Sequence, residues 1–211
     1  DDIRKYLPDL KDYGRNITIN SLLGHFSGLG NFDDHLDELG ESSLSRFMIG
    51  SEQLVSTSEY YTAIKDFPLV HEPDVTMEYS NHAYIVLVEL IERVSGMTIR
   101  EFTDKRMFKP LGMNNTFFPD STEEVIPNRA SGYRATDIGK QLNHLAILHT
   151  VGDGGLFSTV DDMLIWDNHF YNPKLGKNPE QLIALMNTPN VNIPDSEEGK
   201  WYYAKGQNTE G

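Results

Sequence analysis

Apolar residues recur at helical spacing shortly after Thr18. They are Ile19, Leu22, Leu23 and Phe26, at i, i+3, i+4 and i+7. This spacing predicts a short amphipathic helix. Thr18 is a suitable N-cap, and Gly28 lies just past the last apolar position, where a helix can end.

The most apolar stretch runs from His82 to Ser95, where apolar side chains occupy most of the helical circumference. A helix that is apolar on all sides is normally buried. We therefore expect a central helix that ends at Gly96, because glycine commonly stops a helix. Its most buried side chains are expected to be Leu87, Leu90, Ile91 and Val94.

Capping residues predict four further helices. Their expected starts are Thr57 or Ser58 for a helix that must end before Pro68, Thr98 with Glu101 for one that ends near Phe108 ahead of Pro110, Ser158 with Asp161, and Asn178 with Pro179. Strand-like segments are few and lie at residues 130–134, 146–151 and 201–204. The chain has neither an internal repeat nor a linker-like run, so we expect one mainly helical unit.

The composition is that of a globular domain and excludes several classes of function. The 211 residues are 38% hydrophobic, and 18 Lys and Arg against 32 Asp and Glu give a net charge of −14. This charge repels phosphate backbones, so nucleic acid and anionic membrane surfaces are unsuitable partners. The absence of Cys excludes disulfides, thiolate zinc sites and a Cys nucleophile. No apolar run approaches the length that spans a bilayer, since the longest one ends at Glu89.

A search for catalytic motifs leaves one suggestive triplet. His144 and His149 are five positions apart and so share neither a helix face nor a strand face, and the loop Gly152-Asp153-Gly154-Gly155 lacks the Lys-Ser/Thr of a nucleotide site. Neither Gly-x-Ser-x-Gly nor Ser-x-x-Lys occurs anywhere in the chain. Tyr79-Ser80-Asn81, however, lies where an irregular segment meets the predicted central helix. Side chains at such a junction can be held rigidly beside a cleft.

The order of short motifs resembles the serine β-lactamase-related hydrolases, which include class C β-lactamases, D-alanyl-D-alanine carboxypeptidases and related esterases. The matching segments are residues 1–8, 17–19, 22–29, 79–81, 89–96, 108–113 with Thr116, and 152–156 with Ser158, Thr159 and Asp162. Together they extend over nearly the whole chain. The resemblance implies an α+β fold of the β-lactamase/transpeptidase type, of which this chain holds mainly the helical lobe.

The resemblance also implies roles for particular residues. Tyr79 stands where the family has a tyrosine that shuttles protons with a lysine, and Asn81 stands where an amide orients the substrate and that lysine. Without the resemblance, Tyr79 would be interpreted as a packed tyrosine, and Asn81 also fits the N-cap of the central helix. Asp153 and Gly154 are candidates to line the substrate pocket, although a plain turn is the alternative. His25, in a His-x-Ser-Gly-Leu stretch, is expected to serve helix termination and packing.

The implied activity is acyl transfer from a small-molecule or peptidoglycan-type amide or ester, without a metal or another cofactor. In this family, the nucleophilic Ser-x-x-Lys precedes the segment matching Asp1, and a Lys- or His-x-Gly strand follows the segment matching Gly211. We therefore expect residues 1–211 to be a single partial domain, truncated at both ends. The alternative is a catalytically inactive binding or regulatory homologue. The resemblance favours a periplasmic or extracellular location, while the substrate and the oligomeric state stay open.

Overall fold

The computed structural model describes residues 1–35, 55–121, 123–135, 138–139, 141–143, 150–188, 203–204 and 207–208. Its helices are α1 (Ile19–Leu23), α2 (Thr57–Ile64), α3 (Asn81–Ser95), α4 (Ile99–Thr103), α5 (Lys109–Leu111), α6 (Val160–Tyr171) and α7 (Pro179–Met186). Short 3₁₀ helices span Ile3–Lys5 and Phe32–His35, and a π-helical turn, Asp104–Phe108, joins α4 to α5. The mainly helical character expected from the sequence is confirmed.

Two short antiparallel ladders account for the strands that are described. β1 (Tyr133–Ala135) pairs with β2 (Gln141–Asn143), and β3 (Tyr203–Ala204) pairs with β4 (Gln207–Asn208). β1 overlaps the strand predicted at 130–134, and β3 lies inside the one predicted at 201–204. For the third prediction, residues 146–149 lie outside the described residues. The remaining two, Thr150 and Val151, are not in a strand.

The main hydrophobic core forms around α3. Its buried residues come from the N-terminal segment, α1, α2 and α3: Ile3, Leu7, Leu10, Ile17, Leu22, Leu29, Val55, Tyr60, Tyr61, Ile64, Phe67, Ala83, Ile85, Val86 and Leu90. Because α3 contacts both α1 and α2, it has apolar neighbours on several sides. This packing fixes α3 and the chain that enters it.

α3 follows the prediction closely, with two corrections. The helix ends at Gly96, whose positive φ of 67° is a conformation that glycine adopts at little cost. The N-cap is Ser80 rather than Asn81, since the Ser80 side chain accepts from the Ala83 N–H. Of the four side chains expected to be the most buried, Leu90 is buried, Leu87 and Ile91 are half-buried, and Val94 is 59% exposed.

Two other helix starts also differ from the prediction by one or two residues. Ser56, rather than Thr57 or Ser58, caps α2 and forms a capping box with Glu59. Thr159, rather than Ser158, caps α6 by accepting from the Asp162 N–H. In both cases the capping side chain precedes the first helical residue in an extended conformation.

Two helix ends differ more. α1 ends at Leu23, so Phe26 lies outside it. His25 has a positive φ of 61°, which is incompatible with a right-handed helix. The capping box at Thr98 and Glu101 is confirmed, but helical structure continues past Phe108 and through Pro110. The π-helical turn already breaks the i→i−4 pattern, and Pro110 lies in the first turn of α5, where its missing N–H is tolerated.

A smaller core lies beneath α6 and α7. Phe108, Leu111, Met113 and Leu175 are buried there, and Ile165, Trp166 and Leu182 pack against them. The predicted start of α7 at Asn178 and Pro179 is confirmed. No helix in the described ranges has the length and apolarity that a membrane crossing requires.

Candidate active site

The segment 79–81 is a short extended stretch at the entrance to α3. Ser80 has φ −137° and ψ 116°, so the Tyr79 carbonyl and the Asn81 N–H point to one edge, and the Ser80 N–H points to the other. On the first edge, Asn31 Nδ2 donates to the Tyr79 carbonyl at 2.8 Å, and Asn31 Oδ1 accepts from the Asn81 N–H at 2.7 Å. One side-chain amide therefore binds the backbone on both sides of Ser80.

His25 holds the opposite edge of the same segment. Its Nδ1 accepts the Ser80 N–H at 3.2 Å, and its carbonyl accepts the Glu78 N–H at 2.9 Å. Burial lowers the pKa of His25, so the ring is neutral at pH 7 and Nδ1 keeps the lone pair that this bond requires. The His25 ring lies between Tyr79 and Tyr84, with centroid distances of 4.7 and 5.1 Å.

Ser80 itself is buried and its hydroxyl is used twice. Oγ donates to the Gly30 carbonyl at 2.6 Å and accepts from the Ala83 N–H at 3.1 Å. The second bond satisfies an N–H that the first turn of α3 leaves without an intrahelical partner. The middle residue of the triplet is thus structural, which leaves its two neighbours as the candidates for chemistry.

Tyr79 and Asn81 differ from Ser80 in exposure. Tyr79 is 52% exposed, and Asn81 is half-buried. Their backbone atoms are held by Asn31, while Tyr79 contacts the His25 ring with its own ring. The arrangement combines a fixed backbone with accessible side chains, as a site that meets a substrate requires.

The Gly-rich loop packs against α3 further along the helix. Gly152 has φ 121°, and a Cβ there would lie 2.2 Å from Val88 Cγ2, so a side chain at this position would collide with α3. The Gly152 N–H donates to the Gly154 carbonyl at 3.0 Å, which closes the turn. A plain turn and a pocket-lining role for this loop both fit this geometry.

Asp153 lies at the tip of this turn and is half-buried. Burial raises the pKa of Asp153, whereas the hydroxyl of Thr150, which donates to it at 2.9 Å, acts in the opposite direction. Burial also raises the pKa of Tyr60 on α2, and the negative charge of Asp153 adds to that effect. Asp153 is therefore close enough to the main core to influence its ionisable groups.

The structure brings the two pairs of candidate residues to the same helix. Tyr79 and Asn81 lie at the start of α3, and the loop with Asp153 and Gly154 packs one to two turns further along it. Tyr84 connects them, because its ring contacts His25 and its carbonyl lies 3.8 Å from the Cβ position of Gly152. Both pairs of candidate residues therefore lie beside α3.

Sequence reasoning missed the part played by Asn31 and gave His25 too small a role. His25 does terminate the turn after α1, as expected, but it also binds the Ser80 backbone. Both residues lie in the segment 25–31, about 50 positions before the triplet they hold. Periodicity and capping rules describe local structure, so the only available signal was the presence of polar residues in an otherwise buried segment.

Two other features lie apart from this arrangement. A surface cavity of about 510 Å³ is lined by residues of α5, α6 and the turn after α6, including Leu164, His169 and Lys174, and by none of the four candidate residues. Across the described ranges, no three His, Asp or Glu side chains are grouped so that they could hold a metal ion.

Comparison with known proteins identifies the family. The Beta-lactamase family profile matches residues 1–206. The chain belongs to the beta-lactamase family. The resemblance deduced from the order of short motifs is thereby confirmed.

Solved structures confirm the fold class. The octameric penicillin-binding protein homologue from Pyrococcus abyssi superposes with a TM-score of 0.74 at 25% identity, covering 98% of this chain and 46% of that one. A penicillin binding protein from Bacillus halodurans gives a TM-score of 0.73 at 25% identity, covering 95% of this chain and 58% of that one. The α+β, β-lactamase/transpeptidase-like fold is thus shown.

Curated relatives of this beta-lactamase family chain extend well beyond it in length. Penicillin-binding protein 4* of Bacillus subtilis is 28% identical over a 191-residue match that covers 81% of this chain and 39% of that protein. A D-aminopeptidase of Brucella anthropi is 30% identical over 100 residues, which are 45% of this chain and 18% of that protein. The chain therefore spans less than half the length of either relative.

Proposed function

We propose that the protein is a serine hydrolase that forms an acyl-enzyme on an amide or ester substrate, with its nucleophile outside these 211 residues. The observation that carries this proposal is the segment 79–81, where the backbone is bound on both edges while the Tyr79 side chain stays accessible. A rigid backbone with an accessible phenol suits a group that must meet a reacting atom repeatedly in one geometry.

In the proposed reaction, a serine hydroxyl attacks the substrate carbonyl and loses its proton to a neighbouring base. The tetrahedral intermediate collapses when the carbonyl carbon releases the amine or alcohol, which takes up a proton as it leaves. Water then attacks the acyl-enzyme, the bond from the acyl carbon to the serine oxygen breaks, and the carboxylic acid product and the free serine are released. Tyr79 is assigned the transfer of these protons, together with the lysine that the family places beside it.

Asn81 is assigned the orientation of the substrate and of that lysine. Its N–H is already bound by Asn31, and the N-cap role is filled by Ser80. Because neither the bond to Asn31 nor the N-cap of α3 uses the Asn81 side-chain amide, we assign that amide to substrate recognition. Asp153 and Gly154, on the turn that packs against α3, are assigned to the lining of the same substrate site.

The substrate class is an acyl donor such as a β-lactam, a D-alanyl peptide or an ester. The kinship with a D-aminopeptidase and with Penicillin-binding protein 4* supports an amide donor. A peptidoglycan-type substrate would place the protein in the periplasm or outside the cell. A net charge of −14 supports the exclusion of nucleic acid as a partner.

A catalytically inactive binding or regulatory homologue is the second candidate. The observation in its favour is that these 211 residues contain no Ser-x-x-Lys. Sequencing the complete gene separates the two candidates, because the hydrolase requires this motif ahead of Asp1 and the inactive homologue does not. The same reasoning makes the 211-residue chain by itself inert toward a fluorescent penicillin or a fluorophosphonate probe.

The experiment that tests the assignment of Tyr79 is the Tyr79→Phe substitution in the full-length protein. Loss of a general acid/base should lower the acylation rate by about 10²- to 10⁴-fold. The ring and its contact with His25 are kept, so the free energy of unfolding should fall by about 1 kcal/mol or less. Acylation by p-nitrophenyl acetate and thermal unfolding are measured on the same preparation.

Tyr171→Phe is the matched control, because Tyr171 is an exposed tyrosine near the end of α6. It should leave both quantities unchanged. Normal acylation by folded Tyr79→Phe would remove Tyr79 from the proposed mechanism. Stoichiometric labelling of a serine within the 211-residue chain alone would contradict the placement of the nucleophile outside it.

A further inference from the structure

The Asn31 side chain acts on the segment 79–81 as a neighbouring peptide group would. In an extended residue, the preceding carbonyl and the following N–H point the same way. The Asn31 amide meets this pair with its own N–H and carbonyl oxygen, at 2.8 and 2.7 Å. Both of its functional groups are used, and their positions fix the peptides on either side of Ser80.

The backbone around Asn31 is fixed by contacts other than those with the segment 79–81. Its backbone N–H donates to Asp34 Oδ2 at 2.7 Å, in the turn that opens the 3₁₀ helix Phe32–His35. The preceding residue, Gly30, has φ 64°, and a Cβ there would lie 2.9 Å from Asp34 Oδ2 and 3.0 Å from Val70 Cγ1. The Gly30 carbonyl is bound by the Ser80 hydroxyl. The amide is therefore presented from a crowded, well-defined turn.

We infer that Asn31 is a positioning residue for the reaction, which sets the directions of Tyr79 and Asn81 through their backbone atoms. This inference rests on the proposed function and deepens it, since Asn31 acts through Tyr79 and Asn81. The Asn81 N–H lies in the first turn of α3 and has no carbonyl acceptor within the helix. Asn31 Oδ1 fills that place.

The first test measures turnover in the full-length protein. Asn31→Ala removes both bonds, and the resulting displacement of the two side chains should lower kcat for p-nitrophenyl acetate by about 10²-fold. KM should change less than kcat, because the substitution displaces Asn81 but removes no group that touches the substrate. Asn31→Asp keeps an oxygen for the Asn81 N–H but loses the donor to Tyr79, so its kcat should lie between the two.

Asn20→Ala serves as the matched control for these variants. Asn20 is an exposed asparagine on α1. Its kcat and KM should equal those of the wild type. A kcat for Asn31→Ala equal to that of the wild type would overturn the inference, as would an increased KM with unchanged kcat, since this pattern indicates direct substrate binding.

The second test is hydrogen exchange at the Asn81 amide, measured by NMR on the same variants. Asn31→Ala should increase the exchange rate of this amide by about 10-fold, because its hydrogen bond is lost. Asn31→Asp should keep the protection. The Ala83 amide, which is bound by Ser80 Oγ, is an internal reference that should not change.

The two tests separate failure of this inference from failure of the proposed function. Unchanged exchange at Asn81 in Asn31→Ala overturns the inference, whatever the activity. If the wild type is not acylated but exchange at Asn81 rises in Asn31→Ala, the proposed hydrolase fails, while the bond from Asn31 to the segment is supported. Loss of kcat together with faster exchange supports both.

Discussion

Helices α3 and α6 show two different ways of fixing a helix in one small protein. α3 buries seven residues, and five of them are apolar: Ala83, Ile85, Val86, Val88 and Leu90. α6 buries two, and both are polar, Asp162 and His169. Apolar side chains of α6 such as Val160 and Leu164 are exposed, at 86% and 67%. Burial of apolar area thus fixes α3, whereas α6 combines the partial packing of Ile165 and Trp166 with specific hydrogen bonds from its buried polar residues.

The hydrogen bonds of α6 begin at Asp162. Its Oδ2 accepts from the Asn115 N–H and from the Thr116 hydroxyl, each at 2.7 Å, which connects the first turn of α6 to the chain that follows α5. At the other end, His169 Nδ1 accepts the Lys174 N–H at 3.1 Å. Apolar packing on several sides resists displacement of α3 in every direction, whereas the hydrogen bonds of α6 fix only its first turn and its last turn. The candidate site lies on the helix with the apolar support.

The largest effect that separates the two helices should come from Ile85→Ala. Ile85 is fully buried in the main core, so the free energy of unfolding should fall by about 2 to 5 kcal/mol. Val160→Ala on α6 is the matched control and should change it by about 0.5 kcal/mol or less, because Val160 is exposed. Urea unfolding measures both. Equal losses in the two variants would refute the contrast.

Asp162→Ala should show that α6 depends on its polar contacts. Removing the carboxylate leaves the Asn115 N–H and the buried Thr116 hydroxyl without this acceptor, which should cost about 1 to 3 kcal/mol. The neighbouring Asp161 is exposed and adds a favourable charge in the first turn, so Asp161→Ala should cost less than about 1 kcal/mol. If Asp161→Ala proves the more harmful change, the hydrogen-bonded anchor is not what holds α6.

A third effect depends on pH and concerns His82 at the start of α3. Burial among Phe32, Tyr60 and Phe67 lowers the pKa of His82 to about 4, with a smaller contribution of the same sign from His35. Because the unfolded chain binds a proton near pH 6.5 and the folded one does not, stability is full at neutral pH and falls as the pH drops from about 6.5 toward 4. Between pH 7 and pH 5, the loss should be about 2 kcal/mol.

The measurement compares urea unfolding of the wild type and of His82→Gln at the two pH values. The charge of Asp34 raises the pKa of His82 and so opposes the effect of burial. Carboxylates also titrate in this pH range. The decisive quantity is therefore the difference in pH dependence between the two proteins. His82→Gln should be less sensitive to acid, and identical slopes would show that His82 is not the group responsible.

Local features of the sequence accounted for much of the fold. Gly96 as the end of α3, Thr98 with Glu101 as a capping box, and Asn178 with Pro179 as the start of α7 were all predicted, because each depends on neighbouring residues only. The exposure of Val94 was not predicted. Periodicity shows which residues are apolar, but the elements that cover a helix on each side come from distant parts of the chain.

The candidate site was predictable only in part from the sequence. Tyr79 and Asn81 were found through the order of family motifs, and their assignment as site residues stays a prediction. Asn31 was not found, because its bonds to residues 79 and 81 cross about 50 positions and have no fixed spacing. The role of Ser80 as the cap of α3 was likewise assigned to its neighbour, since Ser and Asn are equally good N-caps.

The frame around residues 79–81 has a consequence for how this site can change. The hydrogen bonds of the His25 and Asn31 side chains to the triplet reach only main-chain atoms, and every amino acid except proline offers the same N–H and carbonyl there. Residues 79 and 81 can therefore be exchanged without altering the shape that presents them. Most members of a combinatorial library at these two positions should stay folded, so that the reactive side chains can be varied on an unchanged backbone.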